Sequence, residues 1–259
     1  MMCGIAALLL QPQERTEREW ESIREIFSHN LVFNEERGGE ATGCAVIQNN
    51  GKAFIQKMPL PASEFVTRHE YLALIRKIDA NTTIVLGHTR QSTKGNPDLS
   101  PNNHPLKAGT VIGVHNGHIN NDDELFARYH YPRKAQVDSE IIFRILERAS
   151  PEISGEQYLG AIQPYLQLLE GQFTFLACDL RCPERLLVLK HENPLYYLHK
   201  PEWNALAFSS RYIFLRKAFG NKSTPETVPH DHLLLFDAAT LSKTGNPPAV
   251  SLQLYEDQK

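Results

Sequence analysis

Cys3 is preceded only by two methionines and opens the apolar run Cys3-Gly4-Ile5-Ala6-Ala7-Leu8-Leu9-Leu10. Removal of both methionines leaves one residue carrying a thiol and a free α-amine. Such an amine, with a reference pKa of about 7.7–8.0, can take the proton of a thiol whose reference value is about 8.5. A nucleophile of this kind brings its own general base and needs no neighbouring histidine. While Met2 stays attached, the Cys3 nitrogen is an amide and cannot serve. The plainer reading is a buried cysteine at the head of a strand, since free cysteine is among the most buried residue types.

Three further segments carry polar groups suited to a substrate pocket. They are Arg37-Gly38-Gly39-Glu40-Ala41-Thr42-Gly43, then Gly87-His88-Thr89-Arg90-Gln91-Ser92-Thr93-Lys94-Gly95 with Asn103-His104-Pro105, then His115-Asn116-Gly117 with Val137-Asp138-Ser139-Glu140. Taken singly, each has a structural reading. The glycines shape a turn, Arg90 is a solvated charge, Asn116-Gly117 is a tight turn, and Asp138 caps a helix. Taken together they can set a cation, Arg90, against an anion, Asp138. A zwitterionic amino acid requires such a pair at opposite ends of its pocket.

In this order the motifs resemble the class II glutamine amidotransferases, the glutaminase domains of the N-terminal-nucleophile hydrolase superfamily. The likeness runs from Cys3 to about Asp138 and more weakly through residues 172–179. It is greatest to the glucosamine-6-phosphate synthase and amidophosphoribosyltransferase branches. The resemblance implies an α+β fold, a four-layer αββα sandwich of two stacked, mainly antiparallel sheets flanked by helices. It also implies roles. Cys3 attacks the side-chain amide of glutamine, and its α-amine shuttles the proton. The Asn116 side chain and the Gly117 N–H form the oxyanion hole. Arg90 and Thr93 hold the α-carboxylate, and Asp138, with the Gly117 carbonyl, receives the α-ammonium. Lys94 and His104 complete the substrate-binding set, although Lys94 reads equally well as a solvated lysine. Gln91, Lys94 and Glu40 depart from the family pattern, which has an aromatic residue, a small polar residue or histidine, and aspartate there.

The activity implied is hydrolysis of L-glutamine to glutamate and ammonia through a γ-glutamyl thioester on Cys3, with ammonia passed in trans to a separate synthetase or synthase. Two other readings stay open: a stand-alone hydrolase of another γ-glutamyl amide, and a silent domain that binds glutamine or a partner. No cofactor is expected. His88, His104, His115 and His118 cluster near the motifs, but neutral histidines within the fold fit better than a metal site, because no carboxylate completes a ligand set at the usual spacing.

Elements able to position these groups are legible. Residues 3–10 read as a strand buried on both faces. Thr16 with Glu19 is a capping box, followed by a helix whose face is Trp20, Ile23, Phe27 and Leu31. Strands at 43–48 and 52–56 flank the hairpin signal Asn49-Asn50-Gly51. A second helix is expected from Ser63, with Phe65, Leu72, Ile75 and Ile78 inward. Strands follow at 83–89 and 110–115, joined by a polar stretch, 90–109, long enough to be a functional loop or lid. Asp122 or Asp123 caps a short helix, and Asp138 starts another with Ile141, Ile142 and Ile145 in its core face. A helix at 156–170 is expected to end at Gly171. Strands are expected at 172–178, 186–190, 195–199, 205–209 and 232–237. Asn246-Pro247-Pro248 reads as a break before a terminal strand or tail, 246–259, within a single 1–259 domain whose Met1-Met2 are removed.

The chain has 259 residues and a net charge of −3, from 27 basic and 30 acidic side chains. No basic stripe interleaved with aromatics occurs, so a nucleic-acid partner is not expected. The longest apolar run is far below the ~20 residues that span a membrane, so no membrane partner is expected either. The four cysteines, Cys3, Cys44, Cys178 and Cys182, are read as reduced thiols of a cytoplasmic protein.

Overall fold

Every residue of the first strand, β1 (Gly4–Leu10), is buried. The run shows no polar alternation because both of its faces are covered. Ile5, Ala7 and Leu9 pack between two sheets, whereas Ala6, Leu8 and Leu10 pack against helices. The computed structural model describes residues 2–241 and 249–255. After β1 the order is α1 (Glu17–Asn34), β2 (Ala41–Gln48), β3 (Ala53–Met58), α2 (Ala62–Phe65), α3 (His69–Ile75) and β4 (Thr82–Arg90). Next come β5 (Leu106–Ala108), β6 (Val111–Ile119), α4 (Asp122–Tyr129), α5 (Glu140–Glu147), α6 (Gly155–Leu166), β7 (Gly171–Asp179) and β8 (Arg185–His191). The chain closes with β9 (Tyr196–Lys200), β10 (Ala205–Ser209), α7 (Tyr212–Phe219), β11 (Glu226–Thr227), β12 (His232–Asp237) and β13 (Ala249–Gln253).

One sheet has the order β11-β9-β10-β1-β4-β2-β3, the other β13-β12-β8-β7-β6-β5, and adjacent strands are antiparallel throughout. Helices α1, α2, α3 and α7 cover the outer face of the first sheet, and α4, α5 and α6 that of the second. Leu86, Val114, Leu176, Val188 and Phe208 fill the layer between the sheets. The expected αββα sandwich is the fold. Among the described residues no helix is long and apolar enough to cross a membrane.

The Thr16–Glu19 capping box forms with both reciprocal bonds, and the face Trp20, Ile23, Phe27 and Leu31 is buried as expected. Four local expectations are corrected. The helix from Ser63 is two short helices, broken between Phe65 and His69, and Leu72 points outward at 43 % exposure. Strand β6 runs through Asn116 and Gly117 to Ile119, so these two residues sit in a ladder opposite Thr174 and Phe173, not in a turn. Asp122 is not a cap: Asn121 holds the cap position without a side-chain bond to the helix, and the Asp122 carboxylate pairs with Lys94 and Arg133. Helix α6 stops at Leu166, because Glu170 is drawn into the sheet. Its carbonyl accepts from the Asn120 N–H at 2.7 Å and its N–H donates to Asn121 Oδ1 at 3.1 Å. Gly171, at φ +137°, therefore starts β7 instead of capping a helix. Helix α7 and the short strand β5 were not foreseen. The break at Asn246-Pro247-Pro248 lies outside the described residues, but β13 beyond it pairs with β12.

Candidate active site

Pairing of β1 with β4 sets Gly4 opposite Thr89 and so brings Cys3 beside Arg90 and Gln91. Cys3 Sγ lies 3.4 Å from the Gln91 carbonyl oxygen and 3.4 Å from the Gln91 nitrogen. Arg37 Nε donates to the Cys3 carbonyl at 2.8 Å, tying the end of the chain to the glycine-rich second motif. Burial pushes the thiol up to about 11, against the opposing pull of the Gln91 N–H and of the Arg90 and Arg37 charges. The thiol is therefore protonated at neutral pH and attacks only if a base takes its proton.

Cys3 shares one cavity with Arg90, Thr93, Lys94, His104, His115, Gly117 and Asp138. A second, adjoining cavity is lined by Cys3, Met2, Thr93, Asn116, Gly117 and Asn193. All eight residues singled out from the sequence thus line one or both cavities. Asn116 is fully buried, and neither Oδ1 nor Nδ2 of its side chain has a partner. Leaving such a group unpaired costs about 1–3 kcal/mol, so among the described residues this amide stays open to a ligand. Its backbone is fixed instead: Asn193 Nδ2 donates to the Asn116 carbonyl at 3.1 Å, and Thr174 Oγ1 donates to the Asn193 carbonyl at 2.8 Å. Gly117 adopts φ +135°, and a Cβ there would stand 1.8 Å from the Gln172 carbonyl oxygen. No other residue fits.

Arg90 ends β4 and is buried. Its Nη1 donates to Asn103 Oδ1 at 2.6 Å, and its Nη2 to the carbonyls of Lys94 and Gly95 at 2.7 and 2.8 Å. Among the described residues no carboxylate lies within ion-pair distance of it. Three of its five N–H groups therefore shape the loop after β4, and two are left for an anion. Asp138 is also buried without a cationic partner; its Oδ2 accepts from the Ile119 N–H at 2.6 Å. An unpaired buried guanidinium and an unpaired buried carboxylate on one cavity suit a ligand that carries both charges.

Thr93 is exposed at the rim. The ammonium of Lys94 is taken by Asp122 at 2.7 Å and Asp123 at 3.2 Å, so what Lys94 turns toward Arg90 is its carbonyl. Glu40 and Gln91 depart from the family pattern together because they bond to each other. Glu40 accepts from Gln91 Nε2 at 2.8 Å and from the Ser92 N–H at 2.7 Å, latching the loop.

His88, His104 and His115 form a buried cluster behind the thiol, with ring centres 4.4 Å and 6.3 Å apart along the row. His88 Nε2 donates to the His115 carbonyl at 2.9 Å, and His115 Nδ1 bonds Ser139 Oγ at 2.7 Å. Both ring nitrogens of His104 are unpartnered. Burial lowers all three, His88 to about 3, so the cluster is neutral. His118 is exposed and stands apart from it. Asn103, Arg37 and Asn193 were not assigned roles from the sequence. The signal for Asn193 is the Asn193-Pro194 turn that follows β8.

A profile of the glutamine amidotransferase domain matches residues 88–217, half of the sequence. The chain belongs to the glutamine amidotransferase domain family. The matched segment contains Arg90, Thr93, Asn116, Gly117 and Asp138, while Cys3 lies ahead of it. Among curated relatives, 7-cyano-7-deazaguanine synthase of Saccharolobus solfataricus is 27 % identical over 265 aligned positions, covering all of this chain and 52 % of that protein. Glutamine--fructose-6-phosphate aminotransferase (isomerizing) of Haemophilus influenzae is 26 % identical over 245 positions, covering 88 % of this chain and 36 % of that one. The chain thus spans about half or less of the length of these relatives. In three dimensions it is similar to the glutamine phosphoribosylpyrophosphate amidotransferase of B. subtilis, with a TM-score of 0.71 at 17 % identity over 98 % of this chain and 50 % of that one. That likeness shows the amidotransferase fold.

For this amidotransferase domain, Asn116→Ala is expected to lower kcat for glutamine about 10²–10³-fold, the usual loss of one oxyanion donor, with little change in KM. Steady-state glutaminase kinetics measure it, and an unchanged kcat would remove Asn116 from the oxyanion hole.

Proposed function

We propose that the chain hydrolyses L-glutamine to glutamate and ammonia through a γ-glutamyl thioester on Cys3 and passes the ammonia to a synthetase or synthase bound in trans. The observation that carries this reading is a thiol sharing its cavity with an unpaired buried guanidinium, Arg90, and an unpaired buried carboxylate, Asp138, next to the orphaned amide of Asn116. Glutamine supplies the complement of each group: an α-carboxylate for Arg90 and Thr93, an α-ammonium for Asp138, and a γ-carbonyl oxygen for Asn116 and the Gly117 N–H. Ammonia is the leaving group of thioester formation, and water then releases glutamate.

The proton of the Cys3 thiol goes to its own α-amine once Met1 and Met2 are gone. Met2 is 41 % exposed and lines the cavity shared by Cys3 and Asn116, so its removal frees the base and clears space beside the nucleophile. His88, His104 and His115 are poor bases for the thiol, because burial disfavours the protonated imidazole and holds all three below the ordinary histidine range. The names of the relatives, a synthase and a glutamine-using aminotransferase, each about twice the length of this chain or more, support an ammonia-consuming partner activity outside the residues described here.

Intact-mass spectrometry of active protein tests the base. The expected mass is that of a chain beginning at Cys3, and glutaminase activity is expected to rise with pH as the amine loses its proton near its reference value of about 7.7–8.0. Activity in protein retaining Met2, or an activity limb near the thiol's own value of about 11, would overturn the self-activated nucleophile. Kinetics with and without candidate synthetases encoded nearby test the trans arrangement; a rate that no partner changes favours the stand-alone hydrolase.

A further inference from the structure

Away from the Cys3 thiol, at the end of β8 and just before β12, one donor atom each from His191, Glu192 and His230 lies within 4.8 Å of the others. Among the described residues this is the set whose ligand atoms converge so closely. We propose that these three side chains bind a divalent transition metal of the Zn²⁺ class. Two imidazoles and a carboxylate form a donor set suited to such an ion.

The surrounding bonds prepare the rings for it. Asp231 Oδ1 lies 2.5 Å from His191 Nδ1, and Asp231 Oδ2 lies 2.9 Å from His230 Nδ1. A carboxylate accepts only, so both Nδ1 atoms carry a hydrogen, and in the neutral ring that a metal ligand requires the lone pair falls on Nε2. The Glu192 N–H donates to His230 Nε2 at 3.3 Å, a long bond that a metal on this nitrogen would displace. A carboxylate that orients ligand imidazoles through their far nitrogens is the usual support of a metal-bound histidine. The turn is held in a costly shape: Glu192 is at φ +67° and Asp231 at φ +57°, both left-handed without being glycine. The Asp231 backbone is clamped on both sides, its N–H by the Lys190 carbonyl at 2.9 Å and its carbonyl by the Leu254 N–H at 2.6 Å. The His191 ring packs 4.8 Å from Phe173 and 5.3 Å from Tyr255, centre to centre.

The site borders the catalytic buttress. Asn193 stands two residues beyond His191, donates its N–H to the His191 carbonyl at 2.8 Å, and holds the Asn116 carbonyl through its amide. A metal on His191 and Glu192 therefore pins the turn on which that buttress sits. The proposal is independent of whether the chain hydrolyses glutamine, and its test reads binding.

Zn²⁺ is titrated by calorimetry into the full chain and into its Cys3→Ala variant, and Co²⁺ absorption reports the ligand type. One saturable equivalent is expected in both proteins, with d–d bands and no thiolate charge-transfer band. His191→Ala and His230→Gln are expected to weaken binding more than about tenfold, and Asp231→Asn about 10–100-fold, as for other supporting partners of metal ligands. His69→Ala is expected to change nothing. Circular dichroism confirms the fold of each variant, and His230→Gln, at a half-exposed ring, decides if His191→Ala unfolds. Absence of saturable binding, binding indifferent to His230→Gln, or binding abolished by Cys3→Ala would each overturn the site.

Discussion

Cys3→Ala is expected to abolish glutamine turnover while glutamine still binds. The anchoring groups, Arg90, Thr93 and Asp138, belong to β4, the loop after it and the segment before α5, and none of them bonds the Cys3 side chain. Removing the thiol takes away the covalent step and leaves the pocket. The complementary result comes from a glutamine analogue with an electrophilic side chain, expected to label Cys3 alone in the parent protein. All four thiols are free, but Cys44 and Cys178 are fully buried within strands and burial drives both well above the ordinary thiol range. Cys182 lies 3.3 Å from the Pro151 carbonyl, which Arg185 also bonds, and burial raises its thiol above the ordinary range. Peptide mapping that places the label on Cys44, Cys178 or Cys182 with Cys3 unmodified, or residual turnover in Cys3→Ala, would refute the assignment.

The second large effect is expected at Arg90. Arg90→Lys is expected to raise KM for glutamine roughly 10–100-fold, the value of one charge-assisted hydrogen bond of about 1.5–3 kcal/mol. Lysine keeps the charge but loses the fork, and in this structure the fork serves two masters. It ties the carbonyls of Lys94 and Gly95 and the side chain of Asn103, and it keeps N–H groups free for the proposed carboxylate. An ammonium cannot span both. Part of the loss is therefore expected as a looser loop after β4, visible as faster limited proteolysis within 94–103. A KM equal to the parent's would show that Arg90 is not the carboxylate anchor; a raised KM with unaltered proteolysis would separate anchoring from loop support.

Residue pattern marked the individual elements, because each leaves a periodic trace, and the stacking of two sheets between helices was what the family resemblance implied. Ile5, Ala7 and Leu9 against Ala6, Leu8 and Leu10 mark a strand covered on two sides, Trp20, Ile23, Phe27 and Leu31 mark one helical face, and Asn50-Gly51 marks a hairpin. These signals are local, set by backbone geometry and by the solvent on each face. The chemical identities of the site were also legible, since a thiol, a guanidinium, a carboxylate and an Asn-Gly pair are unusual enough in this order. What each group does with its bonds was decided only in three dimensions. Asn116-Gly117 has the composition of a turn, yet pairing with Thr174 and Phe173 makes it part of β6 and leaves the Asn116 amide unpartnered. Lys94 reads as a free cation until α4 sets Asp122 and Asp123 against it. Helix α6 has the propensity to reach Gly171, but Glu170 bonds to Asn120 and Asn121 and joins the sheet. His191 and His230 are 39 positions apart and acquire a common carboxylate, Asp231, only when the ends of β8 and the segment before β12 meet. In each case the deciding partner is distant in sequence, and a buried polar group takes whichever partner folding brings within hydrogen-bond reach.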